Sequence, residues 1–272
     1  MRLDVVLPNT GPYAHEAIAE AARFEEMGYA GLWLTDHVIG APEYTFYGAY
    51  WLEILTSLAH VAGSTQAIRL GTGVLVVPYR DPVWTAKMLA TIDVLSGGRL
   101  DVGIGTGWTQ REFEALGRGA LYADRGAVTD EALDVFMQCW RGGELSHQGR
   151  WSQSSKIRFA PTPVQAPRPP FWIGARGLAP APMRRAAKYA DVWHPTGLTP
   201  EEVREGGERL DALAGRKIAR SVRLRVADAA DALERARRFR DAGCFQVALD
   251  FSAAETFGEF CKVAEAVIAT PL

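Results

Sequence analysis

The residues in this chain best suited to chemistry are Asp36 and His37, adjacent at the end of a short apolar run. An imidazole there can donate a hydrogen bond or exchange a proton near neutral pH. A histidine at a strand end is as often a structural group, so the pair alone leaves both roles open. Gly71-Thr72-Gly73-Val74-Leu75 places glycines inside a strand-like run. That pattern marks either a bend or a seat where a flat ligand ring presses on bare backbone. Gly103, Gly105 and Gly107 recur at every second position, with Trp108 behind them. This spacing is no dinucleotide fingerprint, but it would let backbone N–H groups approach an anion or a ring edge. Gly174-Ala175-Arg176-Gly177 leads into a helix, and small residues there with an added guanidinium suit a phosphate. His194-Pro195-Thr196-Gly197 follows another short apolar run and makes a fourth glycine-bearing segment. Four such segments point to an extended ligand.

Aromatic residues crowd one long loop, at Tyr44, Phe46, Tyr47, Tyr50 and Trp51. They read either as a small local core or as an apolar substrate wall, which Trp108, Trp193 and His194 would join. His15, His60 and His147 have no ligand spacing, and the chain contains no zinc motif, Walker loop or nucleophile elbow. No metal site is expected.

These residues must be held by something, and strand-like and helix-like segments alternate along the chain in eight pairs. Strands are expected at 3–7, 31–34, 68–77, 99–103, 171–173, 191–193, 221–226 and 245–250. Helices are expected at 14–27, near 53–62, from Asp81-Pro82 to Leu95, near 124–140 and near 182–189. Thr199-Pro200-Glu201-Glu202 and Ser252-Ala253-Ala254-Glu255 read as capping boxes opening two more. Phe257, Phe260, Cys261, Ala264, Val267 and Ile268 then give the last helix one apolar face, so Cys261 belongs to the core. Residues 141–170 interrupt the alternation with five prolines and read as a surface excursion, a hairpin followed by extended chain. Eight βα units specify a single-domain (β/α)8 TIM barrel over residues 1–272, with the excursion between strands four and five. A doubly wound sheet is the runner-up. Pro8-Asn9-Thr10-Gly11-Pro12, after the first strand, lacks the glycine spacing that fold requires. In a barrel, the segments singled out above fall at the C-terminal ends of the strands, where active sites lie.

Composition narrows the class of function. The 272 residues carry 30 Lys plus Arg against 32 Asp plus Glu, a net charge of −2, so no basic field attracts nucleic acid. Apolar runs are only a few residues long, too short to span a membrane, and Asp4 interrupts any secretory leader. Cys139, Cys244 and Cys261 are too few and too scattered for a disulfide scaffold. The expectation is a cytoplasmic enzyme.

Taken in order, five segments resemble the bacterial-luciferase-like family of flavin-dependent barrel enzymes, and most closely its branch that uses coenzyme F420. They are 28–37 (GYAGLWLTDH), 70–74 (LGTGV), 93–99 (DVLSGGR), 103–108 (GIGTGW) and 163–170 (PVQAPRPP), with Gly174 beyond. The resemblance covers nearly the whole chain. It implies a non-prolyl cis peptide at Gly73–Val74 as a ring seat, with Asp36 and His37 beside the ring and His37 as proton donor or polariser. It places the backbone of Thr106 and Gly107 against the ring or its ribityl chain. Ala175, Arg176 and Gly177 would hold the phosphate, near Thr196 and Gly197. It also implies a covering role for the excursion at 141–170, and a homodimer. Sugar-phosphate dehydrogenases of the family carry a catalytic acid where this chain has Trp108, and their cationic set for a substrate phosphate has no counterpart in this loop. The substrate implied is therefore a small apolar or aromatic molecule. The expected activity is hydride transfer with coenzyme F420. The alternatives are an FMN-dependent monooxygenase using O2 and reduced flavin from a separate reductase, and a flavin-binding protein without turnover.

Overall fold

The structure is a computed structural model in which residues 1–40 and 49–272 are described. The chain begins β1 (Arg2–Val6), α1 (Ala14–Ala19), α2 (Ala21–Met27), β2 (Gly31–Leu34) and α3 (Ile54–Ser64). It continues β3 (Arg69–Thr72), β4 (Leu75–Val76), α4 (Pro82–Leu95), β5 (Leu100–Gly105), α5 (Gln110–Ala115) and α6 (Arg125–Arg141). An antiparallel hairpin of β6 (Gly143–Gln148) and β7 (Gln153–Phe159) follows, then β8 (Phe171–Arg176) and α7 (Pro180–Tyr189). The last units are β9 (Val192–Thr196), α8 (Pro200–Ala214), β10 (Ala219–Arg225), α9 (Ala229–Asp241), β11 (Gln246–Asp250) and α10 (Phe257–Ile268).

The parallel strands pair in the order β3-β2-β1-β11-β10-β9-β8-β5-β4, and β3 also pairs with β5, which closes the barrel. Sequence and structure therefore agree on a (β/α)8 TIM barrel. Where they differ, the causes are local. The third strand, expected unbroken over 68–77, leaves the ladder at the cis Gly73–Val74 peptide, and β4 beyond it pairs with β5 alone. The first helix divides at Glu20 into α1 and α2. The final capping box is Thr256 with Glu259, four residues after the expected Ser252. Both stretches satisfy the spacing, but the continuous apolar face starts at Phe257. The box at Thr199 and Glu202 forms as read, and Asp81 caps α4.

Side chains fill the barrel in layers because strand residues alternate in and out. Its N-terminal end is polar: Asp4 accepts from Arg2, the Trp33 indole and Gln246, while Asp101 accepts from Arg2 and Arg69. Above that layer lie Val6, Trp33, Trp172, Val192 and Ala248. A Cβ on Gly71 would lie 2.3 Å from the Trp33 ring, and one on Gly103 would lie 1.8 Å from the Thr72 carbonyl oxygen. These two glycines make room for the barrel's own indole and strand packing, not for a ligand.

Candidate active site

A cavity of about 750 Å³ opens at the C-terminal ends of the strands. Its size lies within the range of small-molecule sites. Val74 forms its floor: Cβ atoms on Gly105 and Gly174 would come within 2.4 and 2.6 Å of the Val74 methyls, so two bare glycines make the socket in which that side chain sits. Gly73 and Val74 both face the cavity, and the peptide between them is cis. The Gly73 carbonyl accepts from Arg223 at 3.0 Å, and the second guanidinium nitrogen of Arg223 donates to Asp250 at 2.6 Å. Burial works against charge on Asp250, but Arg223 and the Ser252 contacts outweigh it and hold the carboxyl below its usual range. The floor is thus tied to β10 and β11 by a closed ion pair.

One wall is built around His37. Its Nδ1 lies 3.0 Å from Glu112, a carboxylate with 0% exposure that also accepts from the Val38 N–H at 2.8 Å and from the Tyr79 hydroxyl at 2.7 Å. The ring is flanked by Trp51, with centroids 4.6 Å apart, and by Trp108 edge-on at 6.3 Å. Asp36 points away from this arrangement. It is buried and takes two hydrogen bonds from Arg80, at 2.6 and 2.8 Å, and a third from the Val76 N–H. Burial pushes the Asp36 carboxyl up against the opposing pull of Arg80. Burial also works against charge on Arg80, but Asp36 and Glu53 outweigh it and raise that group. Asp36 therefore anchors the segment that carries His37.

The ends of β5, β8 and β9 contribute Thr106, Gly107, Ala175, Arg176, Thr196 and Gly197, all lining the cavity. Gly177, with φ of 72°, adjoins Arg176 just outside that lining. His194 also lines the cavity, as expected, deep in it at 2% exposed, stacked on Trp33 with centroids 5.5 Å apart and bonded to the Ser221 hydroxyl at 2.6 Å. Burial, helped by Arg223, pulls its pKa down to about 3, so it is a neutral hydrogen-bonding ring at the bottom of the cavity.

Two expectations need correction. Trp193 does not join the substrate wall: it is the outward residue between Val192 and His194, buried against the helix layer, where a Cβ on Gly206 would meet its ring at 2.9 Å. The excursion at 141–170 contributes nothing to the cavity lining. Its hairpin packs along the helices instead, with Glu131 of α6 accepting the N–H groups of Arg150, Trp151 and Ser152, and Lys87 of α4 meeting the Ala160 carbonyl. Tyr44, Phe46 and Tyr47 lie outside the described residues. Among the described residues no cluster of three or more His, Cys, Asp or Glu could hold a metal, and no helix is long and apolar enough to cross a membrane.

The family model for luciferase-like monooxygenases matches residues 1–260. The chain belongs to the luciferase-like monooxygenase family. Among curated luciferase-like relatives, an F420-dependent hydroxymycolic acid dehydrogenase of Mycobacterium tuberculosis is 30% identical over 70% of this chain and 51% of its own length. The oxygenase component of a flavin-dependent trigonelline monooxygenase of Acinetobacter baylyi is 36% identical over 44% of this chain and 33% of its own. Matches to such relatives thus span about a third to a half of their lengths, 33% and 51% in these two cases. Among solved structures, an F420-dependent secondary alcohol dehydrogenase superposes with a TM-score of 0.83 at 18% identity, covering 98% of both chains. Monooxygenase RslO1 from Streptomyces bottropensis gives 0.81 at 22% identity, covering 99% of this chain and 98% of its own. These two likenesses concern the fold. Relatives named for coenzyme F420 and relatives named as flavin monooxygenases thus stand side by side.

Sequence reasoning passed over several groups of this luciferase-like site: Glu112, Tyr79, Arg80, Arg223, Asp250 and, on the same rim, Arg225 and Arg235. One signal was available. Ser221, Arg223 and Arg225 alternate with Val222, Leu224 and Val226, so the arginines share the face that points into the barrel. Glu112 had no such signal, because the six-residue α5 carries two acids, Glu112 and Glu114, and is too short for periodicity to say which one turns inward.

Proposed function

We propose that the chain is a coenzyme F420-dependent oxidoreductase that moves a hydride between the deazaflavin and a small apolar or aromatic substrate. The observation that carries this reading is the cavity itself: an apolar floor at Val74, glycine backbone at the ends of β5, β8 and β9, and an imidazole fixed by a buried carboxylate. Those features fit a flat tricyclic ring with a phosphorylated side chain. Gly73 and Val74 back the ring, Thr106 and Gly107 flank it, and Ala175, Arg176 and Gly177 with Thr196 and Gly197 hold the phosphate. When bound, the cofactor supplies a two-electron carrier with carbon in place of nitrogen at ring position five, suited to hydride transfer rather than to dioxygen activation.

The chain's own residues supply orientation, exclusion of water and a proton route. Glu112 holds Nδ1 of His37, so a proton passes between His37 and a substrate heteroatom through Nε2. Asp36, locked to Arg80, fixes the backbone that carries the imidazole. Trp51 and Trp108 offer flat apolar surface beside it, which favours a substrate with an apolar or aromatic body. His194 serves as a neutral group deep in the lining.

A fluorescence titration of the apoprotein with oxidised and reduced coenzyme F420 and FMN tests the assignment. Tighter binding of coenzyme F420 is expected. Tighter FMN binding, accompanied by oxygen consumption when a reductase supplies reduced flavin, overturns it in favour of a monooxygenase.

A further inference from the structure

The loop between β5 and α5 carries two surfaces of the site: the Gly107 backbone, and the Trp108 ring that stands edge-on to His37 at 6.3 Å. At 57% exposure, burial does little to fix the direction of that ring. The backbone beneath it is held from outside the cavity. The Tyr122 hydroxyl donates to the Trp108 carbonyl at 2.9 Å. Nε of Arg125 donates to the Gly107 carbonyl at 3.1 Å, which the Thr106 hydroxyl also meets at 3.5 Å. Tyr122 lies just before α6 and Arg125 opens it, and neither lines the cavity. An arginine is poorly placed there for the sake of the helix, because a cation at the first position faces the positive end of the helix dipole. Among the described residues no carboxylate pairs with Arg125; its guanidinium lies 4.5 Å from the centre of the Tyr122 ring and donates to the Tyr122 carbonyl at 2.9 Å. The Tyr122 ring meets Phe113 edge-on at 5.3 Å, and Phe113 meets Tyr79 at 5.0 Å, whose hydroxyl binds Glu112. One aromatic cluster thus backs both His37, through Glu112, and the two groups that hold the loop facing it.

We propose that Tyr122 and Arg125 are positioning residues that set substrate specificity: Tyr122 fixes the Trp108 wall against His37, and Arg125 fixes the Gly107 peptide beside the cofactor. In the functional reading above, on which this rests, Trp108 faces substrate and Gly107 flanks the ring, so one loop serves both ligands through different clamps. An aromatic substrate loses most when the wall is loose, because its flat face needs the indole in one place. A small aliphatic molecule loses little.

Fluorine NMR of fluorotryptophan-labelled protein tests this, with benzyl alcohol as aromatic probe and isopropanol as aliphatic probe. The chain has eight tryptophans, and the Trp51 and Trp108 lines are those lost in Trp51→Phe and Trp108→Phe. Tyr122→Phe keeps the ring and removes only the hydroxyl. In it the Trp108 line is expected to move toward its position in the unfolded chain while the other lines stay, and thermal melting confirms the fold. The dissociation constant for benzyl alcohol, read from the Trp51 line, rises about fivefold, the scale of one hydrogen bond, while those for isopropanol and coenzyme F420 stay within about twofold. With Trp108 already replaced by Phe, the Tyr122 substitution adds little, because Tyr122 acts through that ring. Arg125→Gln is expected to weaken coenzyme F420 binding as well, again by about fivefold. A Trp108 line that does not move in either variant, or an undiminished loss from Tyr122→Phe in the Trp108→Phe background, overturns the positioning role. Equal losses for the two alcohols, or no response of the wild type to benzyl alcohol, overturn the specificity role. Failure of the wild type to bind coenzyme F420 overturns the functional reading, and the Tyr122 clamp is still decided by the two fluorine lines.

Discussion

At the scale of single residues, the site depends on how His37 is held. Nδ1 faces a carboxylate that is completely buried and already accepts two other hydrogen bonds, so the imidazole has little rotational freedom. Glu112 is a positioning residue, since it acts on a substrate through His37. Replacing it with Gln retains the shape but exchanges one acceptor oxygen for a donor NH2, which cannot satisfy all three donors at once. Glu112→Gln should lower kcat by about tenfold or more, with cofactor affinity nearly unchanged and an altered pH profile of kcat. His37→Ala should cost more turnover still, with a smaller loss of cofactor binding. A merely structural Glu112 would instead lower stability and leave the kcat of folded protein and its pH profile as in the wild type, an outcome that stopped-flow reduction and thermal melting together would reveal.

At the scale of elements, the barrel is legible because its strands and helices announce themselves by period, and most caps by residue type. What is not legible depends on distance through space. Trp193 is next to His194 in sequence but not in direction. Alternation sends residues 192, 194 and 196 inward and 193 out. The place of the 141–170 excursion in the chain suggests a cover, but its strands are anchored by a group that sequence does not connect to them. Glu131 accepts the N–H groups of Arg150, Trp151 and Ser152 and the Ser152 hydroxyl, with His147 at 3.6 Å. Partial burial works against its charge, but these donors prevail and lower its pKa below the ordinary 4.5. A carboxylate with a depressed folded-state pKa adds stability above its unfolded value, and that contribution disappears as pH falls through the folded one. Glu131→Gln should therefore cost about 1–2 kcal/mol at neutral pH, and the gap to wild type should close below about pH 5. Urea unfolding at a series of pH values checks this; a gap that stays constant into acid would mean that charge at Glu131 is irrelevant to the hairpin.

At the scale of the whole molecule, the two ends of the barrel divide the work. The C-terminal end carries glycines, a cavity and exposed arginines, while the N-terminal end is closed by charges that satisfy one another. Asp4 and Asp101 are both buried, and between them they take hydrogen bonds from Arg2, Trp33, Arg69 and Gln246, which come from β1, β2, β3 and β11. Asp101 itself belongs to β5, so this one layer links five of the eight strands, including the β3–β5 seam that completes the ring. Asp101→Ala would remove the carboxylate of Arg69, leaving it the Leu100 carbonyl and Gln165, and would leave Arg2 to Asp4 alone. Removing one partner of such a buried network typically costs about 3–5 kcal/mol, and the partial exposure of Arg69 places this case near the lower end. Four residues of strand, about 13 Å, separate Asp101 from Gly105 at the cavity. The variant should thus unfold at markedly lower urea while its folded fraction binds the cofactor as tightly as wild type. A parallel loss of cofactor affinity, measured at a temperature where the variant is fully folded, would show that the charged layer and the site act as a single unit.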